Sequence, residues 1–207
     1  MDYLHWQFDK DEDGTGWMVM DVEGSSVNIL KRSVIEEMSN LVSEIEADDS
    51  LTGLCFISGK PGGFVYGADI NEFSVLQTEV EVAKLMDLAH GVFARLETLS
   101  LPTATGINGI AVGGGLEIAL PFGRIVAVDS PRTQLGFPEI SLGIMPGYGG
   151  TGRAVRRIGV ARTLEMVLTG RMVRATEALE WGLVDALVGN EDMLRGALKD
   201  MLTLEAP

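Results

Sequence analysis

The chain has 207 residues, 46% of them hydrophobic, which suits one domain with a good-sized core and argues against disorder. Sixteen Lys and Arg stand against 30 Asp and Glu, a formal charge of −14, so neither nucleic acid nor an anionic membrane is expected as a partner. No apolar run is long enough to cross a bilayer, and the start Met-Asp-Tyr-Leu-His lacks a basic-then-apolar leader. The single cysteine, Cys55, has no disulfide partner and reads as core filler, which makes a reducing cytoplasm the simplest compartment.

In chain order, residues 17–22 have β character. Ser33-x-x-Glu36 has the form of a capping box, and Val34, Met38, Leu41, Val42 and Ile45 then fall on one helical stripe. Residues 54–58 read as a buried strand between glycines. Val82, Leu85, Met86, Ala89, Val92, Phe93 and Leu96 predict a second amphipathic helix. A strand over 103–111 runs into three glycines and a short helix. Residues 124–128 read as a strand, and 155–168 and 175–180 as helices, the second capped by Gly182. A short strand over 183–188 and a terminal helix over 192–202 complete the pattern. Alternating strands and helices predict an α/β fold in a single domain spanning 1–207.

Glycine is the unusual residue, 26 in the chain against an average of about 7%. The glycines cluster in three loops, at 59–67, 106–115 and 143–152. Such loops leave backbone N–H groups uncovered by side chains, and a helix starting from one leaves its first N–H groups unpaired. The turn Gly67-Ala68-Asp69 could present the N–H of Ala68, and the triple glycine that of Gly114. Two such donors can hold a carbonyl oxygen that becomes negative during a reaction. A carboxylate beside them could move protons at the adjacent carbon, and Glu117 and Glu139 are the acids nearest the two later loops. Asp69 equally suits a turn or helix cap. Phe137 and Tyr148 either line a pocket or pack beside it. Six arginines between 153 and 174 form either a solvated helical face or a patch for a ligand phosphate or a partner subunit. His5 and His90 accompany no nucleophile motif.

Three motifs in order carry a resemblance: Gly67-Ala68-Asp69-Ile70-x-Glu72-Phe73, Asn108-Gly109-x-x-x-Gly113-Gly114-Gly115-x-Glu117, and Pro138-Glu139-x-x-Leu142-Gly143-Ile144-x-Pro146-Gly147-x-Gly149-Gly150-Thr151. The chain resembles the enoyl-CoA hydratase/isomerase (crotonase) family over about residues 27–188. Residues 27–30 and 58–64 are most similar to the hydratase segment of multifunctional fatty-acid oxidation α-subunits. The resemblance implies a spiral of β-β-α units with a helical C-terminal part, shortened here, and assembly as a trimer or a pair of trimers, or within a larger fatty-acid oxidation assembly. It implies that Ala68 and Gly114 supply the peptide N–H donors to a thioester oxygen, and that Glu117 and Glu139 are the hydratase carboxylates. Coenzyme A would enter as the thioester substrate, with no tightly bound cofactor and no metal. It would lie along Lys60, Phe64, Tyr66, Gly67, Asp69 and Ile70.

Two features depart from the family pattern. Pro121-Phe122-Gly123 follows Leu120 where relatives carry a small or sulfur residue and Asp, which predicts a short or kinked helix after Glu117. The sequence given also ends early, as a short family member, a fragment or one segment of a larger α-subunit would. Hydration of 2-enoyl-CoA is the leading expectation. The alternatives are Δ3-Δ2 isomerisation, a non-catalytic CoA-binding or assembly subunit, and another reaction of the same family such as thioester hydrolysis.

Overall fold

The computed structural model describes residues 3–75 and 78–204. Met1, Asp2 and Pro207, on which the readings of the chain ends rest, lie outside the described residues.

The chain opens with a hairpin of β1 (Trp6–Lys10) and β2 (Thr15–Met20), then α1 (Arg32–Ala47). From there it winds as a spiral. β3 (Gly53–Ser58) and β4 (Gly63–Val65) are followed by α2 (Ile70–Val75) and α3 (Glu79–Glu97). β5 (Thr103–Ile107) and β6 (Ile110–Val112) are followed by α4 (Gly114–Glu117). β7 (Arg124–Val128) and β8 (Gln134–Gly136) are followed by a 3₁₀ turn (Pro138–Leu142) and α5 (Gly150–Thr169). β9 (Met172–Arg174), α6 (Ala175–Trp181), β10 (Ala186–Val188), a 3₁₀ turn (Glu191–Met193) and α7 (Leu194–Leu202) close the fold.

The first strand of each turn joins one sheet, ordered β1-β2-β3-β5-β7-β10, which is parallel beyond the opening hairpin. The second strand joins a smaller sheet, ordered β4-β6-β8-β9. The central strands of the large sheet, β2, β3, β5 and β7, are buried on both faces, as period-2 side chains show. Leu54 and Phe56 of β3 point into the main core with α1 and α3, while Cys55 packs on the other face against Leu194 and Leu198 of α7. Ile125 and Ala127 of β7 alternate with Val126 and Val128 in the same way.

Several boundaries differ from the sequence reading, each for a local reason. The Ser33–Glu36 capping box does not form. Leu30 is held by a bridge to Ala68, so α1 starts from Lys31 and Ser33 falls inside it. The reciprocal box is instead Thr78 with Glu81, at the start of α3. The expected strand over 103–111 is two strands in two sheets, β5 and β6. The chain crosses between them at Gly109, where an added Cβ would stand 2.4 Å from the Gly62 carbonyl oxygen. The 183–188 strand shortens to β10, because Leu183 and Val184 donate back to the Ala178 carbonyl as the helix cap. The 192–202 helix begins at Leu194, after a 3₁₀ turn capped by the Asn190 side chain. α4 is short, as Pro121 predicts, and Phe122 beyond it stacks on Phe56 in the core.

Candidate active site

The three glycine loops meet around one apolar pocket of about 520 Å³. Tyr66, Gly67, Ala68 and Ile70 come from the loop after β4 and the start of α2, and Val82 and Met86 from α3. Gly113, Gly114 and Glu117 come from α4 and its N-cap, Glu139 from the 3₁₀ turn after β8, and Met145 and Tyr148 from the third loop.

The floor is made by α4. Gly113 adopts φ 53, a conformation that favours glycine, and turns the chain from β6 into the helix. Its amide bonds the Gly136 carbonyl and its own carbonyl accepts from Leu116 and Glu117. Gly114 is the first helical residue, so its N–H has no intrahelical acceptor. On the facing loop, Leu30 donates to the Gly67 carbonyl and accepts from Asp69. That bridge straddles Ala68 and leaves its N–H outside the pairing. Among the described residues, no acceptor is engaged by either amide. The two loops are close, since a Cβ on Gly67 would lie 3.9 Å from the Gly114 nitrogen.

Glu117 is almost fully buried, 1% exposed. Its Oε1 accepts from the Tyr148 N–H at 2.8 Å and the Gly150 N–H at 2.7 Å. Burial pushes its carboxyl up to about 7, and the charge of Glu139 adds to the rise. The Gly150 and Tyr148 amides and the Arg153 guanidinium act in the opposite direction. Glu139 is half-buried on the 3₁₀ turn, against Gly113: a Cβ there would meet its Oε1 at 2.6 Å. Its Oε2 is buried and without a hydrogen-bond partner among the described residues, and burial raises its carboxyl as well. The site therefore holds one carboxyl group with a fixed orientation and one whose buried Oε2 has no hydrogen-bond partner among the described residues.

The other candidates divide. Tyr66, Gly67 and Ile70 line the pocket. Lys60 pairs with Asp21 at 2.5 Å, away from the lining. Asp69 turns its carboxylate onto the Asn71 amide, closing the turn into α2. Phe64 requires correction as a ligand contact: its ring is wholly buried and tilts against Phe56 at 5.0 Å. Phe137 is likewise core, whereas Tyr148 lines the pocket. Most of the arginine cluster is consumed within the chain. Arg153 and Arg156 pair with Glu97, Arg157 with Asp185, and Arg171 with Glu165 and Glu177. Arg162 donates to the Trp181 carbonyl and lies over its ring. His5 accepts from the Glu23 amide at Nδ1, and its Nε2 lies 3.3 Å from the Ser33 hydroxyl, away from the pocket lining.

Sequence reasoning missed the anchors of Glu117. Gly149 and Gly150 were the available signal, because a glycine pair at a helix start exposes amides. It also assigned Val82 and Met86 to the core stripe of α3, whereas both face the pocket.

The match to the Enoyl-CoA hydratase/isomerase family runs over residues 14–206. The chain belongs to that family. It is 42% identical over 191 residues to the fatty acid oxidation complex subunit alpha of Idiomarina loihiensis, covering 92% of this chain and 27% of that protein. It is 43% identical to the subunit alpha of Shewanella frigidimarina, covering 91% of this chain and 26% of that protein. The chain thus spans about a quarter of the curated relatives it matches. Among solved structures, the enoyl-CoA hydratase of Bacillus anthracis superposes with TM-score 0.87 at 30% identity, over 96% of this chain and 75% of that one. DspI of Pseudomonas aeruginosa gives TM-score 0.89 at 26% identity, over 98% and 74%. The family's enzymes include both hydratase and isomerase in their name, and the spiral of two-strand turns seen here is the fold these structures share.

Proposed function

We propose that this chain is an enoyl-CoA hydratase, adding water across the 2,3 double bond of a 2-enoyl-CoA thioester. The observation that carries this reading is the meeting, in one apolar pocket, of two uncommitted amides and two acids in unlike surroundings.

The thioester oxygen sits between the N–H groups of Ala68 and Gly114, which form the oxyanion hole. Glu117, its orientation fixed through Oε1, takes a proton from water as the water oxygen bonds to C3. The electron pair of the double bond moves toward the carbonyl, and the amides hold the resulting enolate oxygen. Glu139 then gives its proton to C2, and the enolate collapses to the 3-hydroxyacyl thioester. One water has been added, and one proton has passed to Glu117 and one from Glu139, so proton exchange through solvent resets the pair. Two acids titrating together suit this division. An oxyanion donor is worth about 2.7–4 kcal/mol in related chemistry and acid/base assistance about 10²–10⁴-fold.

The coenzyme A part extends from the pocket past Tyr66, Gly67, Asp69 and Ile70, with Lys60 near its path. It is a substrate group and not a resident cofactor, and no metal takes part. The presence of both acids favours hydration over Δ3-Δ2 isomerisation, which needs one. The names of the relatives support a place in a fatty-acid oxidation assembly. The compartment proposed with it is the cytoplasm, because the single cysteine, Cys55, has no disulfide partner. Exposed Val160, Leu164 and Leu168 on α5 support burial of that face in a trimer, a pair of trimers or a larger complex.

The test is loss of enoyl absorbance on mixing with crotonyl-CoA. Turnover is expected, with Glu117→Gln and Glu139→Gln each lowering it at least about tenfold. Full activity in either variant rejects the two-acid mechanism. Crotonyl-CoA binding without turnover in the wild type rejects catalysis and supports a binding or assembly role.

A further inference from the structure

Outside the pocket, one buried side chain is joined to the floor by an unbroken series of contacts. Arg153, in the first turn of α5, is 7% exposed. Its Nε and Nη2 bond Oε2 of Glu97, the last residue of α3, at 3.0 and 2.9 Å. Its Nη1 donates to the Tyr148 carbonyl at 3.0 Å, and its own amide donates to the Gly149 carbonyl. Tyr148 and Gly150, on either side of Gly149, give the two N–H groups that fix Glu117. Gly149 itself has φ 88, and a Cβ there would lie 2.6 Å from Arg153 Nη1. The guanidinium fork thus holds the three-residue segment from one side while Glu117 is held from the other. A planar group with several fixed donors can make both bonds at once, which a lysine ammonium cannot do with the same geometry.

We infer that Arg153, braced by Glu97, is a positioning residue that fixes Glu117 for the reaction. This rests on the hydratase reading above for its catalytic consequence, but not for its geometry. Glu97 is also bonded by Arg156, so the brace ties the end of α3 to two positions of α5. The charged and titratable groups acting on Glu117 include Glu139 across the pocket, the Tyr148 phenol beside it and Arg153, and the His90 ring of α3 stands against Gly149 beside Arg153. Arg153 is the cation among them and opposes the effect of burial, so its removal favours the protonated, inactive form of the base.

Three variants separate the parts of this inference. Arg153→Gln removes the charge and the fork. Hydration of crotonyl-CoA is expected to fall about tenfold in kcat with KM within about twofold, and the acid limb of the pH profile is expected to move to higher pH. Arg153→Lys restores the charge alone, so the acid limb returns while kcat stays low. Glu97→Gln leaves the arginine charged and loosens its hold, so kcat falls with no upward move of the acid limb. It also serves where Arg153→Gln does not fold. Carbon-13 carboxyl NMR of Glu117 gives a readout independent of turnover: its titration moves to higher pH in Arg153→Gln and not in Arg153→Lys. An unmoved Glu117 titration in Arg153→Gln, or in its absence an unchanged kcat in Glu97→Gln, overturns the inference. A moved titration in a protein without hydratase activity overturns the hydratase reading and leaves the brace standing.

Discussion

Glu117 and Glu139 share one cavity, yet their surroundings differ in kind. Glu117 lies on the floor, where every neighbour is fixed from elsewhere in the chain: two amides on its Oε1, Arg153 behind them and Glu97 behind that. There is no spare room, since a Cβ on Gly150 would stand 2.4 Å from Glu117 Cγ. Glu139 lies on the rim, in a 3₁₀ turn with no fully buried residue. Ile140, Leu142, Ile144 and Met145 around it are exposed, and Gly143 has open space about it. The floor is preorganised, and the rim is free to adapt to what enters.

The sharpest way to test that contrast is to add one methyl group in each place. Gly150→Ala has a normal backbone but no space, so the methyl must displace Glu117. A misplacement of about 1 Å can cost about 10²-fold, and a loss of crotonyl-CoA hydration of at least that size is expected. Gly143→Ala has space but φ 72, so it carries a backbone penalty of about 1–2 kcal/mol and little effect on turnover. Denaturant melts and kcat for both variants check the pair. Equal losses of activity would mean that the floor is no more rigid than the rim.

The motifs that build the floor were readable because each is contiguous: the triple glycine, the acid two residues after it and the turn at Ala68. Glu139 was readable for the same reason. What holds those groups was not, because it comes from sequence separations of 31 and 33 residues to Glu117 and 56 between Glu97 and Arg153. An arginine in a basic cluster reads as solvated until its distant acid is known. Ser33 misled for a related reason: a capping box is a local pattern, and the bridge of Leu30 to Ala68 set the start of α1 instead. Phe64 was read as a ligand contact from its motif, but its ring packs on Phe56 in the core, beside the equally buried Val65. The strands β4, β6, β8 and β9 have only three residues each, too short for a period to emerge.

A smaller effect separates the two acids by stability. The folded chain holds the Glu117 proton up to about 7, whereas an unfolded glutamate releases it near 4.5. The folded state therefore binds more protons between those values, and this group's contribution to stability falls as pH rises from about 4.5 through about 7. A shift of that size corresponds to roughly 3 kcal/mol. Glu117→Gln removes the burden, so its stability relative to wild type should improve by about that amount between pH 4.5 and pH 8 in urea melts. Glu139→Gln should show the same sign with a smaller slope, because Glu139 is less buried than Glu117. A flat difference for Glu117→Gln would mean that the floor solvates its carboxylate as well as water does.

The smallest effect belongs to the rim. Met145 is 65% exposed and lines the pocket, so its truncation removes little folded-state burial. Met145→Ala should change stability by no more than about 0.5 kcal/mol. It should leave hydration of crotonyl-CoA near wild type, because on the proposed binding mode a four-carbon acyl group would be held by the floor. On the proposed binding mode longer 2-enoyl chains would reach the rim, where each methylene covered by an apolar side chain is worth up to about 0.8 kcal/mol. The kcat/KM for a ten-carbon substrate should therefore fall by severalfold in Met145→Ala while that for the four-carbon substrate holds. Should both substrates fall together, Met145 would belong with the groups that set the geometry of the floor, and the division between a fixed base and an adaptable rim would have to be redrawn.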